Sequence, residues 1–275
     1  MLTKALLTGL MVGVSMIGII PSIEPYKYPE HWKQDGRNKT FVLYRKHDVT
    51  AMSQGSVGSC VGCATAKSLE LMHGQKFSPE WLYGGGRKHF QEHYSPFAGS
   101  FVGYSVQLVK DVGALPSLDY SIMGDDLRVY SPARAKRWER GPPDSYDTIA
   151  TGYRSGFVKI KTWEQLRDSI ANGVPVIVGS QVGFGSTRGA RRTRDGRLTA
   201  RWWSRWSHAM VFAGVSDGQS KRALLLNSWG NNWISGPKWL GDEPNGSFWV
   251  SKADCEKMLS YDDAYAILPI PGVPF

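Results

Sequence analysis

Four stretches of the chain carry a readable pattern of apolar and polar positions. Ala5 to Ile20 is an uncharged apolar run. From Cys60 onward, Cys60, Cys63, Ala64 and the Leu69–Met72 region fall on or near one face at helical spacing. Two further runs, Ser207 to Val215 and Ala223 to Gly230, have the length and apolar character of strands. The second pattern predicts a helix starting at Cys60. Ser59 serves as its N-cap, with the hydroxyl accepting from the first turn, and Gly74 as its stop. The two strands differ at one informative point each: the first carries His208 near its start, and the second ends in Asn227-Ser228-Trp229-Gly230.

The N-terminal run spans sixteen residues, against the ~20 that a membrane-spanning helix needs. A single lysine before an apolar core is signal-peptide-like, although Ile20-Pro21-Ser22-Ile23 lacks an A-x-A cleavage pattern. Residues 1–22 are therefore expected to be a signal or anchor, with a buried assembly helix as the alternative. A secreted or membrane-anchored protein, or else a part of a virion or surface assembly, follows from that. Residues 23–39 read as an irregular, charged extension with Pro25 and Pro29, ahead of a domain over 40–275.

Candidate chemistry begins where the central helix starts. Gln54-Gly55-Ser56-Val57-Gly58-Ser59 runs into Cys60, placing an amide, a flexible glycine turn and a thiol in one small volume. A thiol at a helix start feels the positive end of the dipole, which favours the nucleophilic thiolate. Gln54 and the Cys60 N–H are then placed to receive an oxyanion. The same segment also reads as a glycine-rich loop before a core helix, with Cys60 a small buried hydrophobe. Likewise, a lone histidine in an apolar strand is commonly structural, and an asparagine at a strand end commonly caps a turn. Taken together and in this order, the three make a nucleophile, a base and the third group that orients the base: Cys60, His208 and Asn227, with Trp229 shielding the last hydrogen bond.

These segments resemble papain-like cysteine peptidases. Gln54 to Cys60 is similar to the family's nucleophile segment, Ser207-His208-Ala209 to its histidine strand, and Asn227-Ser228-Trp229-Gly230 to its Asn-Ser-Trp-Gly motif. Phe77 to Leu82 resembles its Leu-Ser-Glu-Gln helix start, and Gly99 to Val109 with Gly113 its glycine loop and following helix. Trp163 to Val178 resembles the helix and strand that begin its second lobe, and Gly246 to Val250 the strand after the Asn motif. The resemblance covers roughly residues 40–270. It implies an α+β, two-lobed fold with a helical lobe over about 50–150 and an antiparallel β-barrel-like lobe over about 151–270.

It also implies a thiol peptidase acting on a peptide or protein substrate without metal or cofactor. The catalytic set is Cys60, His208, Asn227 and Gln54, and the substrate-binding residues are Gly99, Ser100, Ser207, Ala209 and Trp229. Departures from the family are informative. Val57 stands where a disulfide cysteine is usual, Val61 where tryptophan is usual, and Ser207 where Asp or Asn is common. His208 and Asn227 lie 148 and 167 positions after Cys60, against the usual ~130–150, so an insertion before His208 is expected. With 59 residues ahead of Cys60, against a helical propeptide of about a hundred that the resemblance implies, the family's usual inhibitory propeptide is not expected here.

Composition narrows the rest. With 275 residues at 41% hydrophobic the chain can bury a sizeable core. Three cysteines make no disulfide framework, and the Cys60-x-x-Cys63 spacing lacks the second ligand pair that zinc requires. That spacing permits a redox reading, in which a reversible Cys60–Cys63 disulfide switches activity off. The net charge of +9 is concentrated in Arg188, Arg191, Arg192, Arg194, Arg197, Arg201 and Arg205, interleaved with Trp202, Trp203 and Trp206. Such a segment suits an anionic surface, whether cell wall, lipid or nucleic acid, and equally suits a solvated hairpin whose tryptophans pack on the second lobe. Arg134 to Arg140 reads as an exposed linker or lobe-edge loop. Two rival functions remain: a non-catalytic structural or binding module that keeps the fold, and a cysteine amidase acting on cell-wall peptides.

Overall fold

Every residue from Val61 to His73 is buried, so the helix that starts at Cys60 is enclosed by the protein on all sides. The computed structural model describes residues 25–33, 39–44, 49, 51–90, 98–185, 190–192, 197–200, 202–234 and 243–275. The apolar run over 5–20 lies outside the described residues, as do Arg188, Arg194 and Arg201. Among the described residues no helix is long and apolar enough to cross a membrane.

The order of elements is β1 (Thr40–Val42), α1 (Cys60–His73), α2 (Pro79–Phe90), α3 (Val102–Asp111), β2 (Asp119–Tyr120), β3 (Asp125–Asp126), α4 (Pro132–Trp138) and α5 (Asp147–Ala150). Then come β4 (Phe157–Lys159), α6 (Trp163–Ala171), β5 (Val176–Phe184), β6 (Ala190–Arg192), β7 (Leu198–Ala200), β8 (Trp202–Ser216), β9 (Arg222–Leu226), β10 (Ser247–Ser251), α7 (Lys252–Leu259) and β11 (Asp263–Ile267). A nine-stranded sheet runs β4-β11-β5-β8-β9-β10-β7-β6, with β1 on β8. Its pairings are antiparallel except for the contact of β10 with β7. Helices α1 to α4 form the other lobe, giving the two-lobed α+β architecture.

Close backbone approach sets α1 against α2. A Cβ at Gly62 would sit 2.1 Å from the Pro79 carbonyl oxygen, so only glycine fits there. Gly74 ends α1 in the left-handed region at φ 70°, as the sequence predicts. The predicted strands form as β8 and β9, and the segments singled out around 77–82, 99–109, 163–178 and 246–250 contain α2, α3, α6 with β5, and β10.

Two expectations change. Ser59 precedes α1 but makes no capping hydrogen bond; its hydroxyl instead meets Tyr130 Oη at 2.7 Å. Arg134 to Arg140 is not an exposed linker. Most of it is α4, started by Ser131 as N-cap, with Ala135 and Trp138 buried; the charges obscured those two apolar positions. The described part of the extension is largely irregular and mostly exposed or half-buried, but it is tied to the second lobe: Tyr26 bridges Val158 of β4, and Trp32 is buried, its carbonyl accepting from Asn172 Nδ2. The described part of the basic insertion pairs β6 with β7 antiparallel, in keeping with the hairpin reading. Within it Arg197 is buried, its guanidinium 5.0 Å from the Trp249 ring centre and donating to Ser216 Oγ at 3.0 Å. Arg197 is therefore not presented to an anionic partner, whereas Arg205 is exposed.

Candidate active site

The N-terminus of α1 points its first residue at β8. Cys60 is half-buried, and the backbone N–H of Ala209, the neighbour of His208, acts on its thiol in the sense that favours the thiolate. A register shift in the β5–β8 pairing falls between Ser180 opposite His208 and Val182 opposite Arg205, so β8 carries an extra residue just before the histidine. Bulges of this kind re-aim the adjoining side chain.

His208 is buried and stacked on Trp229, with ring centres 4.4 Å apart and planes at 27°. Its Nε2 lies 2.7 Å from Asn227 Oδ1, which also accepts from the Ser228 backbone N–H at 2.7 Å. The second contact identifies that atom as the amide oxygen, so Nε2 carries the proton and Nδ1 keeps its lone pair. Trp206 and Trp233 pack edge-on around Trp229, at 5.1 and 5.2 Å, and keep water from the pair. Asn227 Nδ2 is buried and has no partner among the described residues.

Gln54 is buried and held from several directions. Its backbone N–H donates to Ser228 O at 2.8 Å, and its side-chain Oε1 accepts from Ser228 Oγ at 2.6 Å. Nε2 donates one proton to Val57 O at 2.9 Å. The second Nε2 proton has no partner among the described residues, as an oxyanion donor requires. Ser228 thus joins the asparagine to the amide. Although Ser228 lies inside the Asn-Ser-Trp-Gly motif, nothing in the local sequence marks this role.

The electrostatics run against the expectation of a readily ionised thiol. Burial pushes the Cys60 thiol up, opposed by the N–H groups of Ala209 and of the helix start. Burial likewise lowers His208 to about 4, opposed by its Asn227 hydrogen bond. Burial thus disfavours each charge taken alone. Among the described residues no hydrogen bond joins Cys60 to His208. Asp263 of β11 adds to this: it caps α3 through Val102 N and Gly103 N, both at 3.1 Å, and its charge also pushes the thiol up. Nothing in its local sequence marks that role. Cys63 is buried in the core, with Ser59 Oγ 3.9 Å from its sulfur.

The residues expected to bind substrate are placed unequally. Ala209 meets the thiol, Trp229 covers the histidine, and Ser207 is exposed beside it. The Gly99 loop touches the nucleophile loop, since a Cβ on Gly58 would lie 2.9 Å from Gly99 N. However, Gly99 spends its own backbone groups internally, its N–H donating to Tyr83 Oη at 3.3 Å and its carbonyl accepting from Arg87 Nη1. Ser100 Oγ is buried and has no partner among the described residues.

A comparison with protein-family models finds no match, and a comparison with curated proteins finds none either. Solved structures do match. Xylellain, a cysteine protease from Xylella fastidiosa, aligns with a TM-score of 0.61 at 18% identity over 90% of this chain and 91% of that one. Digestive procathepsin L 3 of Tenebrio molitor larval midgut aligns at 0.56 and 15%, over 90% and 73%. The Carica candamarcensis cysteine protease CMS1MS2, in complex with E-64, aligns at 0.51 and 17%, over 84% and 98%. The chain has the papain-like fold of these cysteine proteases.

Proposed function

We propose that the chain is a thiol peptidase that hydrolyses peptide bonds through an acyl-enzyme on Cys60. The observation that carries this reading is the convergence of three distant segments. The thiol at the start of α1 meets the N–H beside His208, and His208 is oriented by Asn227 Oδ1. With Nε2–H committed to Asn227, Nδ1 is the atom that takes the thiol proton, once substrate draws the two side chains into hydrogen-bond reach. The thiolate sulfur attacks the peptide carbonyl carbon. The oxyanion receives the Cys60 N–H and the second Gln54 Nε2 proton. Nδ1–H then protonates the leaving amine as the C–N bond breaks. Water attacks the thioester carbonyl, giving its proton to Nδ1, and the acid departs as Cys60 is restored. Substrate is a peptide or protein.

The test is labelling with an epoxide-type thiol-peptidase inhibitor, comparing wild type with Cys60→Ala and His208→Ala. Stoichiometric modification of Cys60 that requires His208 is expected. Labelling no faster than that of a free thiol, and indifferent to His208, would remove the enzyme reading. A further expectation concerns the oxyanion donor. Gln54→Ala should lower kcat on a peptide substrate by about a hundred- to a thousandfold with little change in KM. An unchanged kcat would show that the amide takes no part.

A further inference from the structure

Gln54 and Ser59 flank the nucleophile loop, and one side chain from outside the loop touches both. Tyr130 Oη donates to the Gln54 carbonyl oxygen at 3.1 Å and lies 2.7 Å from Ser59 Oγ. Because the phenol has one proton and gives it to Gln54, Ser59 must be the donor in the second bond. The polarity is thus set along a line from Ser59 through Tyr130 to Gln54. The ring is also seated, packing on the small apolar cluster of Val57, Tyr83 and Ala135.

The tyrosine is itself braced on both sides. Val129 O accepts from Arg134 Nη2 at 2.6 Å, and Ser131 N donates to Glu80 Oε1 at 2.8 Å. Glu80 and Arg134 pair at 2.6 Å, Glu80 fully buried and Arg134 nearly so. A stiff support therefore ends in a hydroxyl that fixes the distance between the oxyanion amide and the start of the nucleophile helix.

We infer that Tyr130 is a positioning residue for the oxyanion site, holding Gln54 and the Cys60 N–H at their working separation. This rests on the peptidase reading above. Displacement of a donor by about 1 Å costs up to a hundredfold in rate, so the effect falls on chemistry rather than on ground-state binding.

The experiment uses Tyr130→Phe, which keeps the seated ring and removes both hydrogen bonds. Three quantities are read in the full-length protein: kcat and KM on a peptide substrate, inhibition by a peptide aldehyde, and alkylation of Cys60 by iodoacetamide. The aldehyde forms a hemithioacetal whose oxygen uses the oxyanion donors, whereas haloacetamide displacement makes no oxyanion. The expected result is a kcat at least tenfold lower, KM within twofold, aldehyde affinity weakened in parallel, and iodoacetamide alkylation unchanged. A merely structural loss would move all of these together. An active wild type with an unaltered kcat in Tyr130→Phe overturns the inference and leaves the peptidase reading standing. A wild type that neither cleaves peptide nor binds the aldehyde overturns both.

Discussion

Replacing His208 by alanine is expected to lower kcat by about a thousand- to ten-thousandfold and to abolish the acid limb of the pH profile. The magnitude follows from removing the proton carrier of a nucleophile–base pair, for which general acid–base catalysis contributes about two to four powers of ten and orientation adds more. The pH argument follows from the burial of the imidazole. In the wild type its pKa is lowered to about 4, so the neutral base persists as pH falls from 7 and is lost near 4. The activity of the wild type should therefore extend through mildly acidic pH and fail with a midpoint near 4.

In His208→Ala no group of this kind remains, and the thiol, pushed up by burial, must ionise unaided. The residual rate should rise monotonically with pH into the alkaline range. The measurement is kcat/KM from pH 3 to 10 for both proteins, with Cys60 content verified by mass. A variant that retained the acid limb would place the titrating group elsewhere, and a wild type inactive below pH 8 would contradict a working Cys60–His208 pair.

What was legible in the chain was what repeats locally. Helix α1 and strands β8 and β9 announce themselves by periodicity, and the residues singled out on them converge in space because these elements form where expected. Arg134 to Arg140 misled because charge dominates its composition. The buried positions there are only Arg134, Ala135, Trp138 and Glu139, and the arginine is inside because Glu80, 54 positions earlier, receives it. Arg197 was misleading for the same reason, its partner Trp249 being brought alongside by β10.

The supporting shell of the site was illegible throughout. Ser228 reaches Gln54 across 174 positions, Tyr130 reaches Ser59 across 71, and Asp263 reaches Val102 across 161. None of these residue types is unusual where it stands. The burial that disfavours each charge on the thiol and the imidazole was hidden too. Helix-start reasoning gives the sign of one contribution, whereas burial is a property of the whole packing and here outweighs it.

Glu80→Ala is expected to destabilise the protein by about 3–5 kcal/mol, the range for breaking a buried ion pair from one side. Glu80 is fully buried and accepts from Arg134 Nε and Nη2, from Ser131 N at 2.8 Å and from Ser78 Oγ at 2.9 Å. Truncation leaves the Arg134 guanidinium without a counter-charge at 10% side-chain exposure, and leaves two further donors unsatisfied. The carbonyls of Asp126 and Val129 still accept from Arg134, which keeps the cost from rising further.

For a chain of this size the loss corresponds to a Tm lower by roughly 10 °C. Denaturant unfolding at unchanged m-value checks it. The double variant Glu80→Leu with Arg134→Leu should lose less than the sum of the single changes, since neither partner is then left as an unpaired buried charge. By contrast, Arg128→Ala, which removes the exposed pairs to Asp119 and Asp126, should leave stability nearly unaltered. A Glu80→Ala midpoint close to wild type would mean that water reaches Arg134, and Tyr130 would then lose the stiff support that its action on the nucleophile loop requires.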